Sequence, residues 1–389
     1  MPFFAFTDPN TLPVTVLGAL DYDQRGDAIA PRRLPDWTRS QVPQMLDVML
    51  RMPSGVRIAF TTDSPTLSLR VNTTRMITPR APRRPAVFDL AVAGRVTSQS
   101  FDCGTRLLLD PDRPDEFEVE RGEPYDVSFS LPDTRNATVC ELWLPHNAFV
   151  ELYGMTIDAG CELHPAVPAG PHWVHYGSSI SHCMEAAQPT GTWPAVAALS
   201  GGARLHSLGF GGQCHLDPFV ARTIRDLKPD CISIKTGINI VNLDSMRERV
   251  FVPLLHGFLD TIRESCPDTR IAVISPIFCP SAESQPGPTR PDADGRFQTV
   301  PRPPELTDGA LTLKRIRSLL AAAVEARAAL DPNLCYVDGL ELFGKADAGD
   351  LPDDLHPNPA GYRRMGERFA RLAFGDGGFF TSLVNGAAT

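Results

Sequence analysis

The chain has 389 residues, 42% apolar and 21% charged, an ordinary globular composition that excludes wholesale disorder and leaves room for two or three domains of about 150 residues. A net charge of −9 without a basic run argues against nucleic acid or an anionic membrane as partner. No stretch approaches the ~18 apolar residues of a membrane span, and the amino terminus lacks a basic region and a cleavage site, so the expected location is cytoplasmic. Nine scattered cysteines without a CxxC pair suggest neither a disulfide framework nor zinc. Proline is the outlier: 37 residues is twice the usual ~5% share and predicts long, stiffened loops.

In chain order, residues 41–51 are the one short helix expected in the first half. Strands follow. Val56, Ile58 and Phe60 alternate, then Leu67, Leu69 and Val71, then Phe88, Leu90 and Val92. Phe117 and Val119 come next, then Tyr125, Val127, Phe129 and Leu131, then Leu142 with Leu144 and Val150 with Leu152. Period two with turns at Asp63-Ser64-Pro65, Gly122-Glu123-Pro124 and Pro132-Asp133 signals antiparallel strands with one buried face. So many short runs predict a β-sandwich of the jelly-roll kind over residues 1–165. Its pattern is similar to carbohydrate-binding modules. The sequons at Asn72 and Asn136 carry no meaning in a cytosolic chain.

A Pro-rich linker at 164–171 changes the pattern. Short apolar strands at 173–176, 204–208, Cys231–Lys235, 271–274 and 335–338 alternate with helical segments at 192–199, Pro218–Leu227, 246–265, 311–330 and Pro359–Phe374. In 246–265, Phe251, Leu255, Phe258, Leu259 and Ile262 fall on one helical face. This alternation predicts an α/β domain over 166–389, a parallel sheet with helices on both faces. The proline-rich segment 279–309 fits neither period. A surface excursion and a lid or binding loop are both open readings of it.

Ligands bind outside the carboxyl ends of strands in such sheets. The segments there are Gly177-Ser178-Ser179-Ile180-Ser181-His182, Gly209-Phe210-Gly211-Gly212-Gln213, Thr236-Gly237-Ile238-Asn239-Ile240 and, beside the last helix, Asp353-Asp354-Leu355-His356. They hold the parts of a serine acyl-transfer site. His356 can take a hydroxyl proton, and an Asp three residues earlier can hold the other imidazole nitrogen. The amides of Ser179 and Gly212 and the Asn239 side chain can donate to an oxyanion. Asn358-Pro359 fits a helix start, with Asn as N-cap and Pro at the first helical position.

These segments, in this order, resemble the four sequence blocks of the SGNH hydrolases, also called GDSL-type esterases and lipases. The resemblance spans about residues 172–375. It implies a three-layer, flavodoxin-like domain with a five-stranded parallel sheet. It also implies Ser179 as nucleophile, His356 as base, Asp353 as its partner, and an oxyanion hole of Ser179, Gly212 and Asn239. Three positions depart from the family pattern: Ser178 stands where Asp is usual, Ser207 replaces the second-block Asn, and Ile240 replaces an Asp.

Alternatives remain at several positions. Ser178 and Ser181 compete with Ser179 in register, and Asp354 competes with Asp353. Asn239 also fits a turn former, and His356 an exposed loop histidine. His172 and His175, three apart on a strand, face opposite sides and make a poor metal pair. Cys183 reads as a buried structural thiol. There is no P-loop, no dinucleotide fingerprint and no G-x-S-x-G elbow, so no cofactor or metal is implied. The expected activity is ester chemistry through an acyl-serine, on a small-molecule or carbohydrate acyl ester or thioester. Hydrolysis is the default and transfer to an alcohol acceptor the alternative. A ligand-binding protein with a degenerate hydrolase domain is the reading from another class.

Overall fold

Period-two alternation in the first half closes into two sheets around one core. The computed structural model describes residues 1–389 apart from 79–82, 111–112, 133–137, 382 and 384–389. Asp133 of the expected turn and the Asn136 sequon therefore lie outside the described residues. The chain forms two units. One holds Met1–Arg39, Leu50–Pro168 and Ala187–Thr190; the other holds Ser40–Met49, Ala169–Ala186 and Gly191–Thr389.

In the first unit one sheet runs Arg113–Glu120, Thr105–Asp110, Thr66–Ile77, Phe149–Ile157, Ala28–Arg32, Asp21–Arg25. Phe3–Ala5 also pairs with Phe149–Ile157, and Tyr125–Ser130 with Thr66–Ile77. The second sheet runs Leu163–Pro165, Arg57–Thr62, Cys140–Trp143, Ala86–Val92, Arg95–Phe101, with Thr15–Leu17 on Arg57–Thr62. Pairing is antiparallel except where Thr66–Ile77 meets Thr105–Asp110 in parallel. Ile58, Phe60, Phe88 and Leu142 from one sheet and Leu69, Val127 and Leu152 from the other share the core. Each such side chain contributes about 1.5–3 kcal/mol by leaving water.

The expected strand around Phe117 is present, but at a sheet edge, where Phe117 and Val119 stay exposed. Two further edge strands, Asp21–Arg25 and Arg95–Phe101, carry no alternation to read. Neither buries a full apolar face, and a period-two signal needs one.

The second unit is built on a five-stranded sheet, ordered Arg204–Gly209, His172–Gly177, Cys231–Lys235, Arg270–Ile274, Leu334–Val337. Every pair is parallel. This is the flavodoxin order, 2-1-3-4-5, with the chain reversing direction across the sheet beside the first strand. That strand alternates cleanly. Trp173 stacks on Phe369 at 5.2 Å, and His175 meets Trp193 edge-on at 4.6 Å. Tyr176 stacks on Phe258 at 5.4 Å. The helix Glu248–Arg263 buries Phe251, Leu255, Phe258, Leu259 and Ile262 as its periodicity requires. The helix Pro359–Phe374 starts as expected, with Asn358 Oδ1 accepting from the Gly361 amide and Pro359 at the first position.

The expected first-half helix is Gln44–Leu50. The 279–309 segment contains a short hairpin, Thr289–Pro291 against Phe297–Thr299. Three-residue strands carry too little pattern for sequence reading.

Candidate active site

The first parallel strand ends at Gly177, and the chain turns at once into a short helix, Ser179–His182. Ser178 is extended, and its hydroxyl accepts from the Ile180 amide as an N-cap. Cys183 ends the turn in the left-handed conformation, φ 61°. Ser181 is fully buried, with its Oγ 2.8 Å from His175 Nε2. His175 Nδ1 lies 2.7 Å from Ser233 Oγ, which also accepts from the Trp173 indole. Burial pushes His175 down to about 3, so this imidazole is a neutral strut. Ser178 and Ser181 are thus both engaged away from His356, and Ser179 alone faces it.

Ser179 Oγ lies 2.9 Å from His356 Nε2, across 177 positions of sequence. His356 Nδ1 lies 2.7 Å from Asp353 Oδ2. The other oxygen, Asp353 Oδ1, accepts from the backbone amides of His356 and Leu355 at 2.6 and 3.0 Å. Burial alone would raise the Asp353 carboxyl. The His356 ring and those two amides outweigh it and hold the group below the usual carboxylate range. Asp354 adopts φ 62° and turns its carboxylate to Arg296, at 3.8 Å. It does not compete for the imidazole.

The glycine turn is tied to the end of the first parallel strand by backbone, and the segment after it to the Asn239 side chain. Phe210 N donates to Gly177 O at 2.8 Å. A Cβ on Gly209 would stand 2.5 Å from the Ser181 backbone, so only glycine allows that approach. Gly212 sits at φ 70° with open space at its Cβ position. Asn239, 4% exposed, accepts from the Cys214 amide through Oδ1 at 3.0 Å. That bond fixes the amide's sense and leaves Nδ2 to donate elsewhere. Cys214 Sγ in turn contacts the Lys235 carbonyl at 3.5 Å. Ile240, at the third family departure, is a fully buried core residue.

Three groups of this unit were not identified from sequence. His175 and Ser233 form the strut, and Lys235 is buried at the end of its strand with its ammonium lowered by burial to about 8. Their signal was available: polar residues interrupt strands that, in a parallel sheet, should read as continuous apolar runs. The third is Phe297, whose ring stands edge-on to His356, 5.7 Å between centroids. The Cys183 thiol is pushed well above its ordinary value by burial, and its Sγ lies 3.1 Å from Ile180 O. Both features fit a buried structural thiol.

A parallel sheet that carries a hydroxyl, an imidazole and a carboxylate in hydrogen-bonded series at its carboxyl rim defines an esterase-type α/β enzyme. Residues 175–364 match the model of the GDSL-like lipase/acylhydrolase family. A second model, the SsfX3 N-terminal domain, matches residues 14–152. The salicylyl-acyltransferase SsfX3 from a tetracycline biosynthetic pathway is similar over 94% of this chain and 95% of its own, with 28% identity and TM-score 0.77. A GDSL-like lipase structure from Bacteroides ovatus aligns over 92% and 94% of the two chains, at 18% identity and TM-score 0.64. An acetyl xylan esterase from the rumen bacterium Butyrivibrio proteoclasticus aligns over 98% and 100%, at 13% identity and TM-score 0.52. The last two show shared fold only. No curated protein matches the chain. Among the described residues, no helix is long and apolar enough to cross a membrane.

Proposed function

We propose that the protein cleaves acyl esters through a covalent acyl-Ser179 intermediate, with hydrolysis as its default outcome. The series Ser179 Oγ, His356, Asp353 carries this reading, with contacts of 2.9 and 2.7 Å. Ser179 Oγ attacks the ester carbonyl while its proton passes to His356 Nε2. Asp353 holds Nδ1–H and stabilises the imidazolium. The tetrahedral oxyanion is held by the Ser179 and Gly212 amides and Asn239 Nδ2. Collapse expels the alcohol, which takes the proton from His356. Water then attacks the acyl-enzyme with His356 again as base, and the acid leaves.

A second reading is supported by one observation, the similarity to an acyltransferase across both units. On that reading an alcohol replaces water in the second half-reaction, and an aromatic acyl group on an ester or thioester is the substrate class to try first. The test is intact-protein mass spectrometry with a panel of acetyl, butyryl and salicyl esters and thioesters, with and without acceptor alcohols. A mass gain of one acyl group that vanishes in Ser179→Ala supports the reading. No adduct and no turnover across the panel would sink it.

A further inference from the structure

The hairpin Thr289–Pro291/Phe297–Thr299 belongs to none of the four sequence blocks, yet it is built against two of them. Asp292 staples its turn: Oδ1 accepts from the Asp294 and Arg296 amides at 2.9 and 3.0 Å, and Oδ2 accepts from Gln298 Nε2 at 2.7 Å. At the base, Val300 N donates to Pro288 O at 2.8 Å. The preceding Gly287 presses on the helix Ile238–Asn242, which carries Asn239. A Cβ there would fall 1.7 Å from the Val241 carbonyl. On the other side, Phe297 N donates to Asp353 O at 2.8 Å, and Arg296 reaches Asp354 at 3.8 Å. One hairpin is therefore anchored both to the Asn239 helix and to the loop bearing Asp353 and His356.

At position 297 that anchoring is backbone work, and any residue but proline would supply it. The side chain is what remains to be explained. The half-buried Phe297 ring stands 77° to the His356 imidazole, an edge-to-face contact that keeps water off that side of the base. We propose that Phe297 is a positioning residue for the second half-reaction: it screens His356 from bulk water and so slows hydrolysis of the acyl-enzyme relative to attack by a docked alcohol. This inference rests on the acyl-Ser179 reading.

The test uses the full chain with p-nitrophenyl acetate in rapid-mixing experiments. Acylation is read from the nitrophenolate burst, and deacylation from the decay of the acetyl adduct, with and without 1-butanol. Phe297→Ala should speed loss of the acetyl group to water by about three- to tenfold and lower the share passed to butanol, with no matching gain in acylation. Phe297→Leu, which restores apolar bulk, should return deacylation to near the native rate. Asp292→Ala, which loosens the hairpin but keeps the ring, should speed deacylation in the same direction and serves if Phe297→Ala folds poorly. Unchanged deacylation in these variants, or an equal slowing of both half-reactions, overturns the inference while leaving acyl-Ser179 intact. A native protein that shows no burst and no adduct instead overturns the reading beneath it.

Discussion

The two units place their buried polar groups differently. In the sandwich several buried charges are paired, although the fully buried Arg33 is lowered by burial to about 9. Arg75 pairs with Asp102 at 2.5 Å, Arg57 with Glu141, and Asp89 accepts from Ser98 and from Thr190. Its interior is otherwise a continuous apolar cluster. The parallel sheet instead places His175, Ser233, Lys235 and Asn239 within its strands and at their carboxyl ends. Burial lowers the Lys235 ammonium, and no carboxylate figures among the groups acting on it.

Substitutions in each unit test that difference. The largest effect is expected from Ser179→Ala. It should abolish the acyl adduct and lower kcat by about 10⁴-fold or more while thermal unfolding stays near native. A variant that keeps turnover would remove Ser179 from the mechanism. In the sandwich, Phe88→Ala opens a cavity in the core and should destabilise that unit by about 3–5 kcal/mol in denaturant melts. Below the melt, fluorophosphonate labelling of Ser179 should persist. Asn239→Ala should lower kcat on the order of 10²–10³-fold. A loss below about tenfold would take Asn239 out of the oxyanion role.

The smallest effect tests Lys235. Its folded value of about 8 lies below the ordinary ~10.4, so the unfolded chain holds this proton more tightly. The folded state therefore carries a penalty below pH 8 that is relieved as pH rises toward ~10.4. Lys235→Met should stabilise the protein at pH 7 by about 3 kcal/mol, and the gain should shrink steadily between those pH values. A gain independent of pH would show that packing, not charge, is responsible.

Legibility in the sequence followed the same divide. Elements with a buried face were readable from period alone, from Ile58 and Phe60 to the helix around Phe258. The edge strands Asp21–Arg25 and Arg95–Phe101 were not, because neither buries a full apolar face. Pro218–Leu227 and Pro359–Phe374 begin and end where proline and the turn residues put them. The order of the four blocks pointed to the candidate residues, and the strand order explains why they lie at one rim. Spacing in the resembled family favoured Asp353 over Asp354, and the backbone turn at Asp354, φ 62°, is the physical reason its carboxylate faces Arg296 instead. Phe297 was invisible because its importance comes from a hairpin whose strands are three residues long.

The molecule also contains a matched pair that separates hydrogen-bond length from reactivity. Two serines one residue apart from adjacency, Ser179 and Ser181, each touch an imidazole, at 2.9 and 2.8 Å. One imidazole is backed by a carboxylate and borders solvent; the other is sealed among indoles and a hydroxyl. A search for nucleophiles by distance would score them alike. On the acyl-Ser179 reading, wrapping rather than reach separates the two oxygens, and any redesign that unwrapped the inner pair would risk creating a rival.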